Sequence, residues 1–148
     1  MIHCDLRPKN FLVDEYGILK LADFKLVQKI PNKLLSESQL PLELRGCPPY
    51  MAPEIIAGEG LHSYQSDLWS IGCILYELRR GTAPFGDQES SIGELIGRIR
   101  TMEPVSSPLL FKGKDAEKKN ASIPPISAEL ADLIQWLLEK APTNRCTW

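Results

Sequence analysis

The sequence predicts an α+β fold in which a small β-hairpin precedes a mainly helical body. Two short apolar runs near the N-terminus, residues 11–13 and 18–22, flank the turn-like cluster Asp14-Glu15-Tyr16-Gly17. Later stretches repeat apolar residues at helical spacing between capping residues. The length of 148 residues, 43% hydrophobic and 24% charged, suits one domain able to bury a core.

The elements follow in order. The two apolar runs read as the strands of the hairpin, with Gly17 closing its turn. From residue 28 to 49 periodicity fades and prolines recur (Pro31, Pro41, Pro48, Pro49), which predicts a long loop. Ser66 is placed to cap a helix over 67–80, and Gly81 to stop it. Leu68, Trp69, Ile71, Ile74, Leu75 and Leu78 lie nearly all round that helix, which predicts burial in the middle of the domain. Residues 91–100 carry one apolar face of Ile92, Leu95, Ile96 and Ile99. Residues 104–125 are polar and proline-bearing and read as a surface loop. Ser127 caps a last helix with apolar positions Leu130, Leu133, Ile134, Leu137 and Leu138, ended near Pro142.

Composition narrows the function classes. A formal net charge of -2 gives no reason to expect nucleic acid or an anionic membrane as partner. The longest apolar run, around 68–78, is broken by Ser70 and Glu77 and is too short to span a bilayer. The N-terminus reaches a charge at Asp5, unlike a secretory signal. Cys4, Cys47, Cys73 and Cys146 form no Cys-x-x-Cys pair, and neither His3 nor His62 stands at ligand spacing for zinc. Scattered thiols suit a reducing compartment, so a cytoplasmic location is expected.

Three motifs occur in fixed order: His3-Cys4-Asp5-Leu6-Arg7-Pro8-Lys9-Asn10, then Asp23-Phe24-Lys25 directly after the hairpin, then Gly46-Cys47-Pro48-Pro49-Tyr50-Met51-Ala52-Pro53-Glu54 closing the long loop. The set resembles the protein kinase pattern of a catalytic loop, a metal-binding Asp-Phe-Gly and an Ala-Pro-Glu. Asp67-x-Trp69-Ser70-x-Gly72 resembles the start of the family's central buried helix, whose Asp braces the catalytic loop. Arg145 resembles the arginine that pairs with the Glu of Ala-Pro-Glu, here Glu54. The resemblance runs the whole chain and implies a protein-kinase-like fold, specifically its helical C-terminal lobe.

Roles follow from the resemblance. In phosphoryl transfer, positioning and charge stabilisation do most of the work. Asp5 would take or orient the proton of the attacking hydroxyl, and Arg7 would lie near the transferring phosphate. Asn10 and Asp23 would hold Mg²⁺ through hard oxygen ligands. Leu12 would form the floor under the adenine of ATP. His3, Phe24, Glu54, Asp67 and Arg145 would be structural.

Five positions depart from the family pattern. Cys4 stands where an arginine usually pairs with a phosphorylated activation loop, so activation is expected not to depend on phosphorylating Ser36 or Ser38. Arg7 replaces the usual lysine and keeps the charge on a planar fork. Cys47 replaces a threonine that hydrogen-bonds the catalytic Asp, and a thiol is a poor donor. Lys25 replaces the flexible glycine of Asp-Phe-Gly. Lys9 stands where kinases that prefer basic substrates often carry glutamate, so no preference for basic residues before the phosphoacceptor is expected.

Pro8-Lys9-Asn10 and Tyr50-Met51 resemble the Ser/Thr branch. Gly60-Leu61-His62-Ser63-Tyr64-Gln65-Ser66-Asp67-Leu68-Trp69 is similar to the Fused-like and fourth Unc-51-like kinases, some of which are pseudokinases that scaffold partners in cilia or on microtubules. No Gly-rich loop or strand lysine precedes His3. The chain is therefore expected to be a partial domain, with an apolar surface toward the missing lobe and weak ATP binding on its own. Three readings remain: a Ser/Thr kinase using MgATP on protein hydroxyls, a pseudokinase or scaffold lobe binding protein partners, or a truncated interaction module.

Overall fold

A computed structural model of the chain describes residues 1–29, 45–58, 60–102 and 126–145. Two strands, β1 (Phe11–Val13) and β2 (Leu19–Leu21), pair antiparallel in the register Phe11 to Leu21, Leu12 to Lys20 and Val13 to Leu19. Ribbons this short are marginal alone, so the turn must hold them. Asp14 does so. Its Oδ1 accepts from the backbone N–H of Tyr16 and Ile18 at 3.0 and 2.9 Å, its Oδ2 lies 2.8 Å from Lys20 Nζ, and Gly17 supplies the left-handed φ of 78°. These contacts, Lys20 foremost, hold the Asp14 carboxyl below its ordinary pKa.

The helical body comprises α1 (Pro53–Ile56), α2 (Tyr64–Arg80), α3 (Ile92–Thr101) and α4 (Ala128–Leu137) among the described residues. Helix α2 begins three residues earlier than the sequence predicts. The cap is Ser63, not Ser66. Ser63 and Ser66 form a reciprocal capping box, Ser63 N–H donating to Ser66 Oγ at 2.9 Å and Ser66 N–H to Ser63 Oγ at 3.4 Å. Gly81 ends the helix in the left-handed region and donates to Glu77 O at 2.7 Å. Ser127 caps α4, as predicted, and Ser91 caps α3.

The core forms where α2 meets α4 and the turn Pro48–Tyr50, against which α3 also packs. Trp69, Cys73 and Leu95 are fully buried, with Ile134, Leu138, Ile55 and Ile56 around them. Trp69 stacks on Phe85 at 5.3 Å and 11°. Gly72 lets α2 and α4 meet closely, since a Cβ there would stand 2.9 Å from Leu137 Cβ and Leu138 Cδ2.

Some apolar residues lie outside this core. Leu78, predicted to be buried, is 73% exposed, because α2 runs past the core after its last buried residue, Ile74. Ile92, Leu130 and Leu133 are also exposed, so the inward faces of α3 and α4 are narrower than their periodicity suggests. On the hairpin, Leu12, Val13, Ile18 and Leu19 are each exposed, as is Phe24 beyond it. The long loop predicted from residue 28 is described only at its two ends, and the 104–125 loop, Ser36, Ser38 and Cys146 lie outside the described residues. Among the described residues no helix is long and apolar enough to cross a membrane.

Candidate active site

The loop preceding β1 is shaped from below by α2. The Asp67 carboxylate accepts the backbone N–H of His3 at 2.7 Å and of Cys4 at 3.0 Å. Cys4 itself sits at φ 67°, a left-handed conformation unusual for a side chain other than glycine, asparagine or aspartate. A paired bridge between Ile2 and Gln28, 2.8 Å in both directions, fastens the start of this loop. Gly46 packs on it from above. At φ 109°, a Cβ on Gly46 would stand 2.5 Å from Cys4 O, so only glycine fits without displacing backbone.

This frame presents Asp5, which is 8% exposed. Asn10 Nδ2 donates to Asp5 O at 2.8 Å and to Asp5 Oδ2 at 3.2 Å. Arg7 Nε lies 3.3 Å from the same Oδ2, within ion-pair reach but not aligned for a hydrogen bond. Asp5 Oδ1 is buried with no hydrogen-bond partner among the described residues. The structure thus brings Asp5, Arg7 and Asn10 into one cluster with an acceptor oxygen unused.

Asp23 is linked to the cluster through the hairpin. Ala22 N–H donates to Asn10 O at 2.9 Å, and His3 Nε2 lies 3.2 Å from Ala22 O. Because Asp5 N–H donates to His3 Nδ1 at 3.3 Å, the ring proton belongs on Nε2, which makes His3 a bridge between the two loops. Phe24 meets the His3 ring edge-on at 5.4 Å. Asp23 lies in the left-handed region at φ 62° and ψ 64°, and Lys25 Nζ reaches its Oδ1 at 3.6 Å. That pair is solvent-exposed and worth little to stability. Leu12 is 54% exposed on β1, one residue beyond Phe11 and apart from the polar cluster.

The thiols are muted by burial. Desolvation foremost, with the Asp67 charge, pushes Cys4 up to about 11. Burial also raises Cys47, against the opposing pull of Arg7. Both stay protonated near neutral pH. Among the described residues no group of three or more His, Cys, Asp or Glu side chains is placed to hold a metal ion.

Beneath the cluster, the Glu54 carboxylate takes a two-pronged pair from Arg145, Nη1 to Oε1 at 2.7 Å and Nη2 to Oε2 at 2.9 Å. Three neighbouring residues escaped the sequence reading. Ser70 Oγ donates to Tyr50 O at 2.8 Å, Tyr50 Oη donates to Glu77 Oε2 at 2.6 Å, and both ring nitrogens of His62 are buried without a hydrogen bond. Ser70 and Tyr50 lay in plain sight inside quoted motifs. His62 also stands in one of those motifs, but nothing in its residue type or spacing signals its burial.

The family model described as protein kinase domain matches residues 1–148. The chain belongs to the protein kinase family. This kinase chain is 38% identical over its whole length to the serine/threonine-protein kinase RUNKEL of Arabidopsis thaliana, covering 9% of that protein. It is 35% identical to serine/threonine-protein kinase ULK3 of Xenopus laevis over 99% of this chain and 27% of that one. It is 32% identical to serine/threonine-protein kinase 36 of Mus musculus over 100% of this chain and 10% of that protein. The kinase chain therefore spans from under a tenth to about a quarter of these relatives.

Proposed function

We propose that the chain is the C-terminal, substrate-binding part of a Ser/Thr protein kinase domain, which transfers a phosphoryl group from MgATP to a protein hydroxyl. The observation that carries this is the Asp5 carboxylate: buried, held by Asn10 and Arg7 through Oδ2, and left without a hydrogen-bond partner at Oδ1 among the described residues. An acceptor hydroxyl within hydrogen-bond reach of Oδ1 is oriented by it and gives up its proton there.

Each neighbour has a part. Asn10 commits its amide nitrogen to Asp5, which turns its carbonyl oxygen into the end available to a hard cation. Asn10 and Asp23 are the residues that would hold Mg²⁺. MgATP, when bound, would supply the phosphoryl group and the metal's charge. Arg7, 21% exposed beside Asp5, places a permanent positive charge near the reacting oxygens. Leu12, exposed on β1, offers an apolar floor to the adenine ring.

Two observations favour a second reading, a pseudokinase lobe that binds protein partners. Cys47 brings no hydroxyl donor to Asp5, and Lys25 sets an ammonium against Asp23. Neither removes the base nor a metal ligand, so we favour the kinase. The described cysteines are free thiols, in keeping with a cytoplasmic setting. The test is phosphate incorporation from MgATP into a generic acceptor by the full-length protein, beside Asp5→Asn. Incorporation that vanishes in the variant supports the kinase. A folded protein that incorporates no more than the variant supports the scaffold.

A further inference from the structure

Lys25 is the middle residue of the 3-10 turn Phe24–Leu26, which starts directly after Asp23. Two contacts fix that turn. Val27 N–H donates to Phe24 O at 3.3 Å, and the Phe24 ring rests edge-on against His3 at 5.4 Å. Asp23 itself stands in the left-handed region, at φ 62° and ψ 64°. In this arrangement Lys25 Nζ reaches Asp23 Oδ1 at 3.6 Å. The Lys25 side chain is 86% exposed and that of Asp23 32%. The ammonium therefore lies over one oxygen of a carboxylate open to solvent, and so exposed a side chain has little packing to lose by swinging away.

We propose that Lys25 is a built-in competitor for the cation at Asp23, and so sets how much divalent metal the protein needs. The inference rests on the reading of Asp23 as a metal-holding residue and adds a regulator to that site. A divalent cation that takes Oδ1 must displace the ammonium, and an ammonium that stays nearby repels it. Both effects weaken metal binding. A residue without charge at this position would leave Oδ1 to the metal alone. Because the pair is exposed, the competition has the strength of a surface ion pair, modest and screened by salt.

The experiment titrates Mn²⁺, as the probe metal, into the full-length protein with a non-hydrolysable ATP analogue. Bound Mn²⁺ is read by electron paramagnetic resonance, which needs no turnover. Asp23→Asn should lose most of the binding and so locates the site. Lys25→Met removes the charge and keeps the stem, whereas Lys25→Arg keeps the charge. The expected result is Mn²⁺ binding about two- to fivefold tighter in Lys25→Met than in the parent at low salt, with the gap closing at high salt. Lys25→Arg should stay with the parent. Equal affinity in parent and Lys25→Met, or a Lys25→Arg protein that binds like Lys25→Met, overturns the inference, while phosphate incorporation that vanishes in Asp5→Asn still upholds the kinase. The expected Mn²⁺ shift with no turnover in any variant overturns the kinase reading and leaves Lys25 a competitor at a metal site without chemistry. No Mn²⁺ binding, or binding untouched by Asp23→Asn, overturns the inference.

Discussion

Arg145 and Glu54, 91 residues apart, share a two-pronged ion pair in which every guanidinium donor is used. The remaining donors go to the backbone oxygens of Glu139, Gln65 and Lys140 at 2.6, 3.0 and 3.0 Å, and the cation lies 5.0 Å from the centre of the Trp69 ring. One side chain thus joins the end of α4, the start of α2 and the Ala-Pro-Glu turn. Removing one charge of such a pair strands the other in the interior. Glu54→Gln is therefore expected to lower the unfolding free energy of the domain by about 3–5 kcal/mol, read as a lower urea midpoint. Arg145→Lys should be little better, because an ammonium cannot reproduce the fork.

Gly72 marks the closest approach of α2 and α4. Gly72→Ala gains helix propensity but drives a methyl group into Leu137 and Leu138. The clash should win, at about 1–3 kcal/mol of net destabilisation by the same denaturation assay. Equal or greater stability would show that α4 can shift outward at little cost.

Asp67 holds the backbone of His3 and Cys4 and with it the left-handed turn that presents Asp5. Asp67→Ala leaves two N–H groups without acceptors, at about 1–3 kcal/mol each. Turnover should fall by more than stability explains, since Asp5 loses its support. Comparing kcat at a temperature where variant and parent are both folded separates the two effects.

Cys47 occupies the neighbourhood of Asp5 and Arg7 without supplying a strong donor to Asp5 Oδ1. Cys47→Thr places a hydroxyl there and should raise kcat by about three- to tenfold, the worth of one ordinary hydrogen bond. A drop in kcat would mean that Oδ1 must stay unpaired for the acceptor.

His62 titrates below its ordinary value because burial disfavours the imidazolium, although the Asp67 and Glu54 charges pull the other way. The unfolded chain therefore takes up the proton first. Stability is full above the unfolded value of about 6.5 and falls as pH drops from there toward the lower folded value. His62→Gln should flatten that part of the stability profile in thermal unfolding measured from pH 7 to pH 5.

The hairpin, the three longer helices and the cluster around Asp5 were legible in the sequence, because caps, periodicity and spaced motifs are local signals. The start of α2 was misread because two serines three residues apart both fit a cap, and their reciprocal hydrogen bonds decide between them. Leu78 was misread because periodicity says which way a side chain points, not whether a neighbouring element covers it. The role of His62 and the contacts of Ser70 depend on segments far apart in the chain, for which one sequence holds no record.

Gln28 is paired to Ile2, and Gly46 is pressed against Cys4. Residues 28 and 46 are thus both fastened to residues 2–4, the short segment that leads into Asp5. That segment is clamped from two sides, and any side chain added at Gly46 would prise the Asp5 loop off its support.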